Sequence, residues 1–176
     1  MLPISLGAEG WPVLVVGAGV ALHQRLRLLR EAGITAPCVH ENDLPTEAAI
    51  AAVRLLFVAG LPREQSEPLA ILARQHRVLV NVEDVADLCD FHIPALVRRG
   101  ALSIAISTAG QSPALAVLLR RALAAQFDNS WISRMAIVAA ARARLRAAGA
   151  DGAAVLRETE RLTAPWLTVP APQDSR

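Results

Sequence analysis

The run Pro12–Val16 is continuously apolar, Gly-Ala-Gly follows it at 17–19, and from Val20 to Ala32 apolar positions recur at helical spacing until Gly33. A short β-branched run, a tight turn and an apolar-periodic stretch closed by glycine read as strand, turn, helix and C-cap. Thr35–His40 reads as a second strand. The chain therefore opens with a βαβ unit whose glycines lie at the carboxyl edge of a parallel sheet. After a polar break at 41–45 the pattern predicts a short alanine-rich helix, a strand at Leu55–Val58, a helix at Arg63–Gln75 and a strand at Arg77–Val82. Strands alternating with helices define an α/β protein with a parallel sheet. Beyond Phe91 the pattern changes. Phe91–Val97 and Leu102–Ser107 are strand-like, separated by Arg98-Arg99-Gly100 as a turn, and predict an antiparallel pair. Ser112-Pro113 supplies an N-cap and a first-turn proline for a helix to about Phe127. Further helices are expected at Trp131–Ala148 and Asp151–Leu162, and a loose proline-bearing tail after them.

Composition narrows the function classes. Hydrophobic residues at 53% against 19% charged exclude a disordered chain, and 176 residues suffice for one core with a helical extension. A net charge of +2 with 3% aromatic residues argues against a nucleic-acid partner. Lysine and tyrosine are absent, which removes the lysine phosphate loop, the lysine Schiff base and the Tyr-Lys proton relay. Arginine as the sole strong cation favours two-pronged recognition of carboxylates. Cys38 and Cys89 stand apart in apolar surroundings, read as buried thiols in a reducing compartment. The apolar stretch Trp11–Leu22 has no basic leader, and no run reaches the roughly 18 residues of a membrane span. A soluble, cytoplasmic protein without a membrane partner is expected.

Gly17, Ala18, Gly19 and Val20 sit where a strand feeds a helix, so backbone N–H groups at the positive helix end can receive a pyrophosphate. The third glycine position of the dinucleotide fingerprint is Leu22. Glu41, at the end of the second strand, can accept hydrogen bonds from an adenosine ribose, which favours NAD over NADP. A structural turn with a solvated acid is the alternative.

The blocks Asn81-Val-Glu-Asp84, Leu88-Cys-Asp-Phe91, Ile93-Pro-Ala95, Arg98-Arg-Gly100, Ile104–Thr108 and Gly110–Ala116 closely resemble the central signature of the precorrin-2 dehydrogenase and sirohydrochlorin ferrochelatase family, which includes the siroheme-synthase N-terminal module. The opening Leu2-Pro-Ile4 and the glycine turn extend the resemblance over most of residues 1–125. It implies a Rossmann-like dinucleotide-binding domain at 1–90, a dimerisation region at 91–127, a helical region at 128–164 and a tail at 165–176. It also implies a homodimer that oxidises precorrin-2 to sirohydrochlorin with NAD and, in bifunctional members, inserts ferrous iron. Asp84 matches the aspartate that the family uses as proton acceptor and as an aid to metal insertion; a helix N-cap is the alternative for it. Asn81, Arg98, Arg99, Thr108 and Ser112 are the expected tetrapyrrole contacts, with Arg120 and Arg121 as further candidate clamps. A solvated turn or helix face is the alternative for the arginines, and a cap for Ser112. The residue matching Thr108 can be a phosphorylated serine in the family.

The chain also departs from the family pattern. About 20 residues and a strand are missing between Glu41 and Leu55, and Ala59-Gly60-Leu61-Pro62 replaces the run that contacts the cofactor, leaving Gly60 as the candidate there. Ser66 replaces an asparagine, and His92 stands at an apolar position, as a new ligand or as a hydrogen-bonded strand residue. The histidines lack ligand spacing, and no metal site is expected. These departures motivate a second reading, a divergent paralogue that binds tetrapyrrole or metal, or acts as a chelatase alone, without hydride transfer. A third is an NAD-sensing module.

Overall fold

A computed structural model describes residues 2–7 and 9–167. Of the expected tail at 165–176, residues 168–176 lie outside the described residues. The chain divides into two compact units, one ending at Ile93 and the other beginning at Pro94.

The first unit is a four-stranded parallel sheet in the order β2-β1-β3-β4. Its strands are β1 (Val13–Gly17), β2 (Cys38–Glu41), β3 (Leu55–Ala59) and β4 (Leu79–Val82). The intervening helices are α1 (Gly19–Glu31), α2 (Glu47–Ala51) and α3 (Arg63–Gln75). Both central strands are buried over all five residues, as continuous apolar runs require when helices cover both faces. Alternation then sorts the side chains. Leu14, Val16, Leu56, Val58, Val80 and Val82 pack on the face of α3 with Leu69, Ala70 and Ala73. Val13, Val15, Leu55 and Phe57 pack on the face of α1 with Leu22 and Leu29. Each fully buried aliphatic side chain contributes about 1.5–3 kcal/mol, so the two faces dominate the stability of this unit. The strand order reverses at β1, which pairs with β2 on one side and β3 on the other. In open α/β sheets ligands bind at the carboxyl ends of the strands at such a point.

The second unit holds an antiparallel hairpin, β5 (Ala95–Arg99) and β6 (Leu102–Ile106), followed by α4 (Pro113–Gln126), α5 (Ser130–Ala147) and α6 (Gly152–Thr163). The hairpin corrects the expected turn. Arg98 and Arg99 belong to β5, and the loop is Gly100-Ala101, with Gly100 at φ 60°. Glycine at the first position of a two-residue loop supplies the backbone that suits strand twist. Phe91–Ile93 do not extend β5; Phe91 and Ile93 pack against the α1-face core of the first unit. α4 has no buried residue and exposes Leu115, Val117, Leu118 and Leu119.

Candidate functional site

At the carboxyl edge of the sheet Gly17 of β1 stands between Glu41 of β2 and Ala59 of β3. A Cβ on Gly17 would lie 2.0 Å from the Ala59 carbonyl oxygen, and one on Gly60 (φ 71°) would lie 2.5 Å from the Ala18 carbonyl oxygen. These two glycines let the β1–α1 turn close onto the end of β3, where the Ala18 N–H donates to the Ala59 oxygen at 3.1 Å. Gly19 differs: its φ is 63°, and a Cβ there would meet nothing within 4 Å. Val20 beside it is 74% exposed. α1 begins here with no side-chain cap and no acid in its first turn. The opening N–H groups and the positive end of the helix dipole are thus open to an anion. Leu22 is fully buried in the α1-face core, so its bulk points into the sheet and away from the turn. Glu41 is exposed, and the following Asn42 donates its N–H to the Gly17 oxygen at 3.1 Å. These residues fit a dinucleotide: Gly19 and Val20 would hold its phosphates, and Glu41 would accept from its ribose.

Next along this edge the Glu83 N–H donates to the Val58 oxygen at 2.9 Å, continuing the β3–β4 pairing by one residue. Asp84 follows at φ 57°, a left-handed conformation that costs about 1–3 kcal/mol in a non-glycine residue. The surrounding aspartates are committed elsewhere. Asp87 takes a two-pronged bond from Arg63, which holds its carboxyl below the usual carboxylate range and in turn raises the arginine. Asp90 accepts from Arg74 at 2.9 Å and from the Val80 N–H at 3.0 Å. The exposed Asp84 carboxylate has no hydrogen bond or ion pair among the described residues. The alternative N-cap role is not realised, because Val85 precedes the single 3₁₀ turn at Ala86–Leu88.

Asn81 is 6% exposed on the α1 face and donates Nδ2 to the Phe91 oxygen at 2.9 Å, leaving Oδ1 enclosed without a partner. Phe91 meets Phe57 edge to face with ring centroids 5.4 Å apart, and the Arg25 guanidinium lies 5.3 Å from the centre of the Phe57 ring. Arg25 Nε is likewise enclosed and unpaired. Burial pulls the Arg25 guanidinium below the usual arginine value, opposed by Glu83, Cys89 and Asp84. Sequence reading passed over Arg25, although its position carried a signal: a charge three residues after Leu22, on the helix face that buries Leu22 and Leu29.

Cys89 is woven into the backbone, accepting from the Val82 N–H at 3.2 Å and donating to the Val82 oxygen at 3.1 Å. Cys38, expected to be buried, is exposed on the outermost strand. Ser66, fully buried, donates to the Pro62 oxygen at 3.0 Å, a bond within its own helix turn. His92 is exposed and lies outside any strand, and no group of three histidine, cysteine or acidic residues among the described residues is arranged to hold a metal ion. In the second unit Arg99 donates to the carbonyls of Arg98 at 2.7 Å and Ala124 at 3.0 Å, tying β5 to the last turn of α4. Thr108 Oγ1 accepts from the Ser112 N–H at 3.2 Å, and Ser112 Oγ accepts from the Leu115 N–H at 3.3 Å, so Ser112 caps α4.

An open parallel sheet with a glycine turn and a bare helix N-terminus at its switch point defines a Rossmann-like, dinucleotide-binding class of protein. A family described as putative NAD(P)-binding matches residues 4–95, and one described as sirohaem biosynthesis protein central matches residues 99–126. The siroheme synthase of Nitrosococcus oceani is 35% identical over 140 residues, covering 69% of this chain and 30% of the relative. That of Methylococcus capsulatus is 32% identical over 165 residues, covering 84% and 35%. This chain thus spans about a third of the length of these relatives. The solved structure of SirC, precorrin-2 dehydrogenase, superposes with a TM-score of 0.70 at 21% identity, covering 92% of this chain and 89% of SirC, and shares the fold. The chain belongs to the precorrin-2 dehydrogenase and sirohydrochlorin ferrochelatase family, which includes the siroheme-synthase N-terminal module.

Proposed function

We propose that this chain oxidises precorrin-2 to sirohydrochlorin in the cytoplasm, with NAD as hydride acceptor and a homodimer as the active form. The observation that carries the reading is Asp84, the one carboxylate in the Asp84–Asp90 segment left without a partner among the described residues, held at the carboxyl edge on a strained backbone. NAD, when bound, supplies the hydride-accepting ring. Asp84 takes the proton that leaves the tetrapyrrole, a role that an exposed carboxylate without a hydrogen-bond partner leaves its oxygens free to play. Gly17, Ala18, Gly19 and Val20 frame the phosphates, with Gly60 keeping the turn closed. Glu41 accepts from the ribose and repels a 2′-phosphate, so NAD is preferred to NADP. Asn81, Arg98, Thr108 and Ser112 orient the substrate, the hydroxyls keeping their protons to donate after accepting from the backbone; Arg99, bound to two carbonyls, acts by holding β5 in place. The exposed apolar face of α4 supports the dimer.

Ferrous iron enters this reading as a second substrate, held transiently by the hard oxygens of Asp84. A chelatase or tetrapyrrole-binding role without oxidation is favoured by one observation: β2 ends the sheet, where the family resemblance implies a further strand. Incubation with precorrin-2 and NAD, followed through the tetrapyrrole absorbance, separates the two. Oxidation that disappears in Asp84→Ala is expected; no oxidation by the wild type, with binding or iron insertion retained, establishes the second reading, and undiminished turnover in the variant removes Asp84 from its role.

A further inference from the structure

The cations of the first unit are unevenly committed. Arg63 is spent on Asp87, Arg74 on Asp90 and the Leu88 carbonyl, and Arg27 faces Glu31. Arg54 and Arg77 stand just before β3 and β4, at the amino edge of the sheet, and Arg30 lies in the last turn of α1. Arg25 is different. It lies six residues into α1, about 9 Å along the helix from its start, and helical side chains lean back toward the N-terminus. Its guanidinium is therefore carried toward the carboxyl edge. The guanidinium lies over the Phe57 ring and Nε is enclosed, which restricts the side chain. None of its N–H groups has a hydrogen-bond partner among the described residues, and the outer nitrogens are not enclosed.

A guanidinium held over an aromatic ring, with its outer N–H groups unspent, is organised for a planar oxyanion: less side-chain freedom remains to be lost when the bond forms. The acids at this rim make the cation necessary. Glu83 and Asp84 both act on Arg25, and an acidic ligand approaching Asp84 without it would meet negative charge alone.

We infer that Arg25 is a carboxylate-binding residue of the tetrapyrrole site, pairing its outer N–H groups with an acid side chain of the substrate beside Asp84. The inference rests on the proposed function for the identity of its ligand. A phosphate of the dinucleotide offers the same oxygen chemistry, but its expected place at Gly19 is the start of the helix, where the open N–H groups already receive it. The tetrapyrrole is the source assigned here.

The test uses uroporphyrin, a stable macrocycle bearing eight carboxylates, titrated by fluorescence against wild type, Arg25→Gln and Arg25→Lys, with NAD titrated in parallel. Arg25→Gln is expected to bind uroporphyrin about tenfold more weakly, the scale of one lost charge-assisted contact, with NAD affinity within about twofold of wild type. Arg25→Lys, which keeps the charge and loses the planar fork, falls between. In the wild-type protein, modification of Arg25 by phenylglyoxal, read by peptide mass spectrometry, should be suppressed by uroporphyrin and not by NAD; this arm stands even where a variant folds poorly. Equal uroporphyrin affinity in a folded Arg25→Gln overturns the inference, as does protection by NAD alone. A wild-type protein that binds no uroporphyrin would sink the functional reading and the inference together, whereas wild-type binding unchanged by the variants sinks only the inference.

Discussion

Gly19 and Gly60 both adopt left-handed backbone, yet they serve different ends. At Gly60 an added methyl group runs into the Ala18 carbonyl at 2.5 Å, so Gly60→Ala combines backbone strain with a backbone clash. It is expected to destabilise the fold by at least about 2 kcal/mol, read as a lowered urea midpoint. At Gly19 the methyl meets nothing within 4 Å, so Gly19→Ala should cost about 1 kcal/mol while cutting NAD affinity severely, because the side chain stands where the phosphates approach. Calorimetric titration beside a denaturation curve distinguishes them; a Gly19→Ala protein with wild-type NAD affinity would show that the turn is only structural. In the sequence these glycines look alike. Gly17-Ala18-Gly19 was legible from the strand before it and the helix after it. Which glycine meets backbone and which meets open space depends on how closely β3 approaches, and that is a long-range contact no local pattern encodes. Arg25 was hidden for the same reason: its meaning depends on Phe57, 32 positions away.

Elements with strong periodicity and a chemical stop signal were read nearly to the residue. α3 occupies the expected Arg63–Gln75, and α4 starts at Pro113 behind its serine cap. Removing that cap in Ser112→Ala should cost about 1 kcal/mol. The failures share a cause. Phe91 and Ile93 are apolar because they pack on the sheet core that holds Phe57, and short apolar runs do not separate a strand from a packed loop. β2 begins at Cys38, three residues later than expected, and at the sheet's edge little burial defines its start. In the buried strands the prediction is sharper: Leu56→Ala, at 0% exposure, should lose about 2–5 kcal/mol in chemical denaturation. The Arg63–Asp87 pair ties α3 to the turn after Asp84. Because Asp87 is held below the usual aspartate value of about 4, its contribution is complete above that pH and is lost as the carboxylate protonates below it. Asp87→Asn should therefore flatten the stability profile on the acid side of about pH 4, with little effect at higher pH beyond a constant offset.

At the scale of the molecule the two units differ in how they bury themselves. The first carries two apolar sheet faces closed by helices; among the described residues the second holds three buried hydrophobic ones, Val97, Trp131 and Ala141, while α4 leaves four large apolar side chains exposed. The proposed homodimer would cover this surface. Leu118→Glu, at 59% exposure, should leave the fold intact and shift sedimentation equilibrium toward a single chain; dimers of undiminished stability would remove α4 from the interface. The outermost place of β2 also has a practical consequence. Its Cys38 thiol is exposed and Cys89 is bound into the backbone, so the unmodified protein offers a single readily labelled position. It lies three residues, about 10 Å, from Glu41 at the rim. A fluorophore attached there would report ligand arrival as a change in emission, without any engineered cysteine.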